Sequence, residues 1–175
     1  MSVPIVHLVP LLTDKGFTNE SASSVLMVLM FSGIFGRILG GKLGDMYGAL
    51  PGYMMMSFGQ TISVFWFPFL DSIIALYALA IFFGFTYSGV MSAILVCART
   101  MVPPSYAARM MSITAFFGWG GMGMGGFVGG YLFDVQGNYF WSFYFATMVG
   151  TTNLGILGLL ALRIRQARLR EGVLS

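Results

Sequence analysis

The chain has 175 residues, 57% of them hydrophobic and 9% charged, with a mean hydropathy of +0.83. A water-soluble domain carries about 25% charged residues, so this composition excludes a soluble globular fold and points to several membrane spans. The formal net charge of +3 comes from scattered arginines; without a basic soluble face interleaved with aromatics, no nucleic-acid partner is implied. Cys97 is the single cysteine and lies in an apolar run, so it reads as a buried, inert thiol. Neither a cofactor nor a metal ion is called for.

Residues 1–12 are apolar but too few to span a bilayer, and they lack the positive n-region of a cleavable signal. They read as a partial helix, the tail of a span whose start is missing, leading into the polar turn Thr13–Glu20. His7 precedes Asp14 by seven residues, which places it about 10 Å inside the membrane by helical rise. Histidine titrates near pH 6.5, making His7 the candidate for proton coupling; the alternative is a structural histidine bonded to a backbone carbonyl.

Residues 21–44 form the first complete span, with Ser21 or Ser23 able to cap its start. Glycines 33, 36, 40, 41 and 44 recur at spacings of three and four and share a helix face. They contain GxxxG twice, a pattern that lets membrane helices approach closely. Arg37 lies on that face, flanked by Gly33, Gly40 and Gly41 and eight residues before Asp45. If Asp45 marks the interface, Arg37 is about 12 Å deeper, near the middle of a hydrocarbon core about 30 Å thick. A cation there costs about 2.5–3.5 kcal/mol on insertion scales. It either faces a protein interior or watery cavity, or snorkels and bonds a neighbour's carbonyls.

A turn at Gly48–Gly52, containing Pro51, leads to a span over 53–70. Gln60, Thr61 and Ser63 in it are interhelical hydrogen-bonders, and Trp66 with Pro68 suits an aromatic belt. After Asp71–Ser72, the span 73–97 carries Gly84, Tyr87 and Gly89 at its middle; Tyr87 either faces a cavity or packs. A polar loop, Arg99–Arg109, precedes the span 110–133, which holds eight glycines between Gly118 and Gly130. In lipid such a segment stays helical, and the composition suits either rocking against neighbours or tight packing. Phe117 and Trp119 are its bulky residues and could wall a cavity. The turn Asp134–Tyr139 precedes the last span, 140–162, and the tail 163–175 holds four arginines, as a membrane-surface anchor does. One side carries Lys42, Arg99, Arg109, Arg163, Arg165, Arg168 and Arg170, and the other only Lys15 against Asp14, Glu20, Asp71 and Asp134. The first side, with the C-terminus, is therefore cytosolic.

The segment Gly41-Lys-Leu-Gly-Asp45-Met-Tyr-Gly48 fits GxxxDxxG between two spans. It resembles the signature loop of the major facilitator superfamily, in the copy between helices 8 and 9. Met46 stands where the family usually has a basic residue, and Ala49, Leu50 and Pro51 follow the last glycine in place of further bases. The run Gly130–Tyr139 and the Arg37–Asp45 spacing resemble the monocarboxylate-transporter and oxalate/formate-exchanger branch. That resemblance implies an all-α, polytopic membrane helix bundle: the second six-helix half of a major-facilitator-type fold with its first helix truncated. It implies that Arg37 binds a substrate carboxylate; Tyr87, Phe117 and Trp119, from their places in the spans, are further candidate substrate contacts. Gly41, Asp45 and Gly48 would form the gating loop, in which Asp45 contacts the other half. Phe116–Gly126 lacks the second cation of some carboxylate carriers, which favours a monoanion over a dicarboxylate.

The expected function is transport of a small organic anion across the cell membrane by alternating access, with an N-terminal half as partner. A membrane-embedded enzyme would need clustered polar groups at depth, whereas Asp14, Asp71 and Asp134 all fall in turns. A non-transporting scaffold, a truncated carrier fragment or a carrier of a non-anionic solute fits the glycine faces as well.

Overall fold

The chain, described by a computed structural model over residues 2–173 except the side chains at 168 and 171–173, is a bundle of six α-helices. They are α1 (Val3–Asp14), α2 (Asn19–Tyr47), α3 (Ala49–Trp66), α4 (Ile73–Thr100), α5 (Pro104–Gln136) and α6 (Phe140–Val173), with a 3₁₀ turn at Phe67–Phe69. By length and composition α2, α4 and α6 (over Phe140–Ala167) can cross a membrane. At 18 and 33 residues α3 and α5 have the length, but glycine and hydroxyl side chains dilute their hydropathy.

Helices run further than the spans expected for them, and the breakers explain where they stop. The helix of the 21–44 span is capped by Thr18, whose hydroxyl accepts from the Ser21 amide at 3.2 Å, rather than by Ser21 or Ser23. It continues through Gly41 and Asp45 to Tyr47, so the signature segment is helix rather than loop. The reversal is compressed into Gly48 at φ +95°, a conformation open to glycine alone at low cost. Pro51 is not in a turn but the third residue of α3, where its missing N–H would have had no helical partner. Likewise Pro104 opens α5 at its first position, shrinking the expected Arg99–Arg109 loop to Met101–Pro103.

The bundle is built around α2 and α4, which lie side by side and run in the same direction. An added Cβ on Gly36 would strike the Phe85 backbone, and one on Gly84 the Leu29 carbonyl. A Cβ on Gly40 would lie 2.7 Å from the Gly89 Cα. Further along, Gly44 meets Gly52 at the start of α3, where an added Cβ would lie 3.0 Å from the Gly44 Cα. Gly41, by contrast, faces open space and is not part of the packed face.

Two apolar clusters complete the core. At the end holding the α3–α4 turn, Leu8, Leu12, Val25, Phe67, Phe83 and Phe143 are buried together, with Phe67 edge-on to Phe83 at 5.7 Å between ring centroids. At the other end Tyr53, Met56, Val90, Cys97 and Leu157 pack. Asn153 on α6 donates to the Ser57 hydroxyl at 3.0 Å, a polar tie to α3. Lys15 joins α1 to the α3–α4 turn through the Leu70 carbonyl at 2.8 Å and the Asp71 carboxylate at 2.9 Å. The outward apolar side chains, Ile34, Ile38, Phe116 and Phe127 among them, suit a multi-pass membrane protein, where lipid replaces water as solvent.

Gly36→Ala and Gly84→Ala should each destabilise the bundle by about 1–3 kcal/mol, the usual range for overpacking. Gly41→Ala should leave stability unchanged or raise it by up to about 1 kcal/mol, since a helical glycine in open space is replaced by a better helix former. Thermal unfolding in detergent, comparing the three variants, checks this; equal midpoints would contradict backbone-level contact between α2 and α4.

Candidate functional site

Arg37 follows the buried Gly36 and is therefore turned by about 100° from it on the helix. It is exposed, not buried among the glycines: the cation flanks the packed face and looks out of the bundle. It stands 10 residues from the end of α2 at Tyr47, about 15 Å by helical rise. Because Gly36 meets Phe85, Arg37 is level with the middle of α4, where Tyr87 lies.

Tyr87 is 8% exposed. Its ring stacks on Phe83 at 5.6 Å, and its hydroxyl donates to the Met122 sulfur of α5 at 3.5 Å. The Met122 carbonyl accepts from the Ser2 hydroxyl of α1 at 2.9 Å. Met122 thus links α5 to α4 and to the start of α1; the Arg37 guanidinium, among the described residues, has no carboxylate within ion-pair distance. A guanidinium is a planar fork of donors suited to bidentate capture of a carboxylate or similar anion.

Phe117 and Trp119 are 71% and 73% exposed and touch nothing that orders them toward Arg37. Two positions apart on one helix, they point about 200° from each other, so a single cavity can take only one of them as a wall. Gly118, Gly120, Gly121 and Gly123 beside them face open space.

His7 is 8% exposed, and its Nε2 donates to the Gly126 carbonyl of α5 at 3.0 Å. Gly129 leaves the room for the ring: a Cβ there would lie 2.7 Å from Nε2. The Gly129 carbonyl in turn accepts from the Ser142 hydroxyl of α6 at 2.7 Å. Above His7, Tyr139 lies 5.4 Å away between ring centroids. Burial, and then the charges of Asp14 and Asp134, raise the Tyr139 phenol above its ordinary value.

In the signature segment the three residues have separate environments. Gly48 makes the reversal, Gly41 is open, and Asp45 is exposed in the last turn of α2. A carboxylate there faces the negative end of the helix dipole, and among the described residues no cation pairs with it. Met122, Ser2 and Ser142 carry no motif of their own; docking of α5 alone brings them into the site region.

A family model for the Major Facilitator Superfamily matches residues 1–172. Among curated proteins, monocarboxylate transporter 13 of Rattus norvegicus is 32% identical over 168 residues, covering 89% of this chain and 37% of that protein. Monocarboxylate transporter 13 of Bos taurus is 31% identical over the same length and the same shares. The chain therefore spans well under half the length of the relatives it matches.

His7→Ala should cost about 0.5–1.5 kcal/mol through the lost side-chain hydrogen bond to the Gly126 carbonyl. The expected readout is a lower unfolding midpoint in detergent together with faster amide exchange over α5. Unchanged exchange would show that the tie does not hold α5.

Proposed function

Given that this chain belongs to the Major Facilitator Superfamily, we propose that it is the C-terminal half of a secondary active transporter. The cargo is a monocarboxylate or other small organic anion, moved by alternating access between this half and an N-terminal half. The observation that carries the reading is Arg37, exposed within α2, level with the middle of α4 and, among the described residues, without a carboxylate in ion-pair range. A desolvated cation is costly in a membrane unless an anion or water meets it, and an opposed half would shield it from lipid while leaving a cavity. The names of the relatives, monocarboxylate transporter 13 in both organisms, fit the same cargo. Membership of a transporter family also argues against an enzyme.

In this reading five helices, α2 to α6, cross the cell membrane and α1 belongs to a sixth. The C-terminus is cytosolic, since the arginine-rich tail, Lys42, Arg99 and Arg109 all fall at one end. Asp45 meets a cation of the N-terminal half at the cytosolic gate, which would relieve its unfavourable place at a helix C-terminus. Tyr87 and one of Phe117 or Trp119 border the solute. His7 is the coupling position: with Nε2–H held by the Gly126 carbonyl, Nδ1 is the nitrogen left to take a proton.

The longest reading frame containing this chain, reconstituted in vesicles, should take up labelled monocarboxylates. Arg37→Ala should reduce uptake at least about tenfold, the loss of one charge-assisted hydrogen bond or more, with protein yield and melting unchanged. Uptake that survives the substitution would make Arg37 a packing or gating residue. Absent carboxylate uptake would point to a non-anionic solute or a non-transporting scaffold.

Coupling has its own check. In His7→Gln, which keeps an N–H donor for Gly126, an imposed inward proton gradient should no longer stimulate uptake, while exchange of labelled for unlabelled solute persists. Stimulation equal to that of the unaltered protein would move proton coupling away from His7.

A further inference from the structure

We propose that the cytosolic end of the bundle holds a binding site for one anionic phospholipid, distinct from the Arg37 face. The inference rests on the cytosolic orientation given above but not on transport. A cleft of about 870 Å³ opens between the α2–α3 reversal, the last turn of α4 and the extension of α6. Its walls include Tyr47, Leu50, Pro51, Met101, Ile164 and Arg165. The walls are thus mostly apolar, and Arg165 supplies the full positive charge among them. The cleft is made by two features noted above: Gly48 folds α3 back so sharply that the reversal is short, and α6 runs on past its span to Val173. The overhanging α6 forms one wall, the short reversal and the end of α4 the others.

The ligand class follows from charge and place. The end of the bundle with this cleft carries Lys42, Arg99, Arg109, Arg163, Arg165, Arg168 and Arg170, against Asp45 and Glu171. Arginines clustered just cytosolic of a membrane helix attract anionic headgroups, each contributing about 1 kcal/mol near the surface. An apolar cleft at the hydrocarbon boundary takes the start of an acyl chain, and a guanidinium at its wall takes the phosphate by paired N–H donors. A soluble anion would gain nothing from the apolar walls. A neutral lipid would gain little from the arginines. A phospholipid with net negative charge uses both.

The test uses native mass spectrometry of the purified chain released from detergent with phosphatidylserine or phosphatidylcholine. Phosphatidylserine should be retained at one copy per chain and in preference to phosphatidylcholine. Arg165→Gln should weaken that retention about fivefold, the loss of one surface cation, and Arg165→Lys should recover part of it. Arg163→Gln removes the same charge from an exposed residue outside the cleft walls and should weaken retention clearly less than Arg165→Gln. Equal weakening by Arg163→Gln and Arg165→Gln would replace the site with diffuse attraction to the tail. Equal retention of the two lipids would overturn the anionic preference. Retention of glycerophosphoserine as strong as that of the whole lipid would show a headgroup site without an acyl cleft. No lipid retained, with a cross-link from the cleft to another stretch of polypeptide, would make the occupant protein. Far-ultraviolet circular dichroism of each variant separates these results from misfolding, since both arginines are exposed.

Discussion

The contact between α2 and α4 is the constraint on which the remainder of the bundle depends. Lipid tails are as apolar as leucine, so two membrane helices gain little from the hydrophobic effect and must associate through close packing. Here the gain comes from backbones touching at Gly36 with Phe85, Gly40 with Gly89 and Gly84 with Leu29. Glycine costs conformational freedom in a helix, yet at these points any side chain would hold the helices apart. The contact also sets the register between the helices, and the register puts Arg37 level with Tyr87. A chemical feature of the site is thereby a consequence of a packing requirement one residue away.

α5 relates to the bundle in another way. Few of its side chains are buried, Gly129 being the one residue within it that is fully enclosed. It is held through backbone carbonyls instead: Met122, Gly126 and Gly129 accept from Ser2, His7 and Ser142. All three carbonyls lie in its second half, while Gly118, Gly120 and Gly121 before them, and Gly123 between the first two, face open space. Tight packing within this chain accounts for Gly125 and Gly129 but not for those four.

The two ends of the bundle differ chemically. One has a single lysine, Lys15, bridged to Asp71, and a patch where Asp14 and Asp134 act on Tyr139. The other gathers the arginines and the overhanging end of α6 around an apolar cleft. An asymmetry first visible as a count of charges becomes, in three dimensions, one acidic mouth above His7 and one basic rim.

Composition and spacing alone determined that the chain is a membrane helix bundle, roughly where its helices lie, and that Gly33, Gly36 and Gly40 share a packing face. These are legible because membrane hydropathy and helical periodicity are local properties of the chain. The GxxxDxxG segment likewise pointed to the family that the comparison then showed. Helix ends were less legible: Gly41–Tyr47 continues as helix and Pro51 lies inside α3, because a proline or polar run stops a helix only where a helical hydrogen bond would be lost. Only the tertiary structure decided that Arg37 looks outward, that Gly41 lies outside the packed face and that His7 is tied to Gly126. Those facts depend on which neighbour covers each helix face, and a face shared along one helix does not specify the helix that meets it.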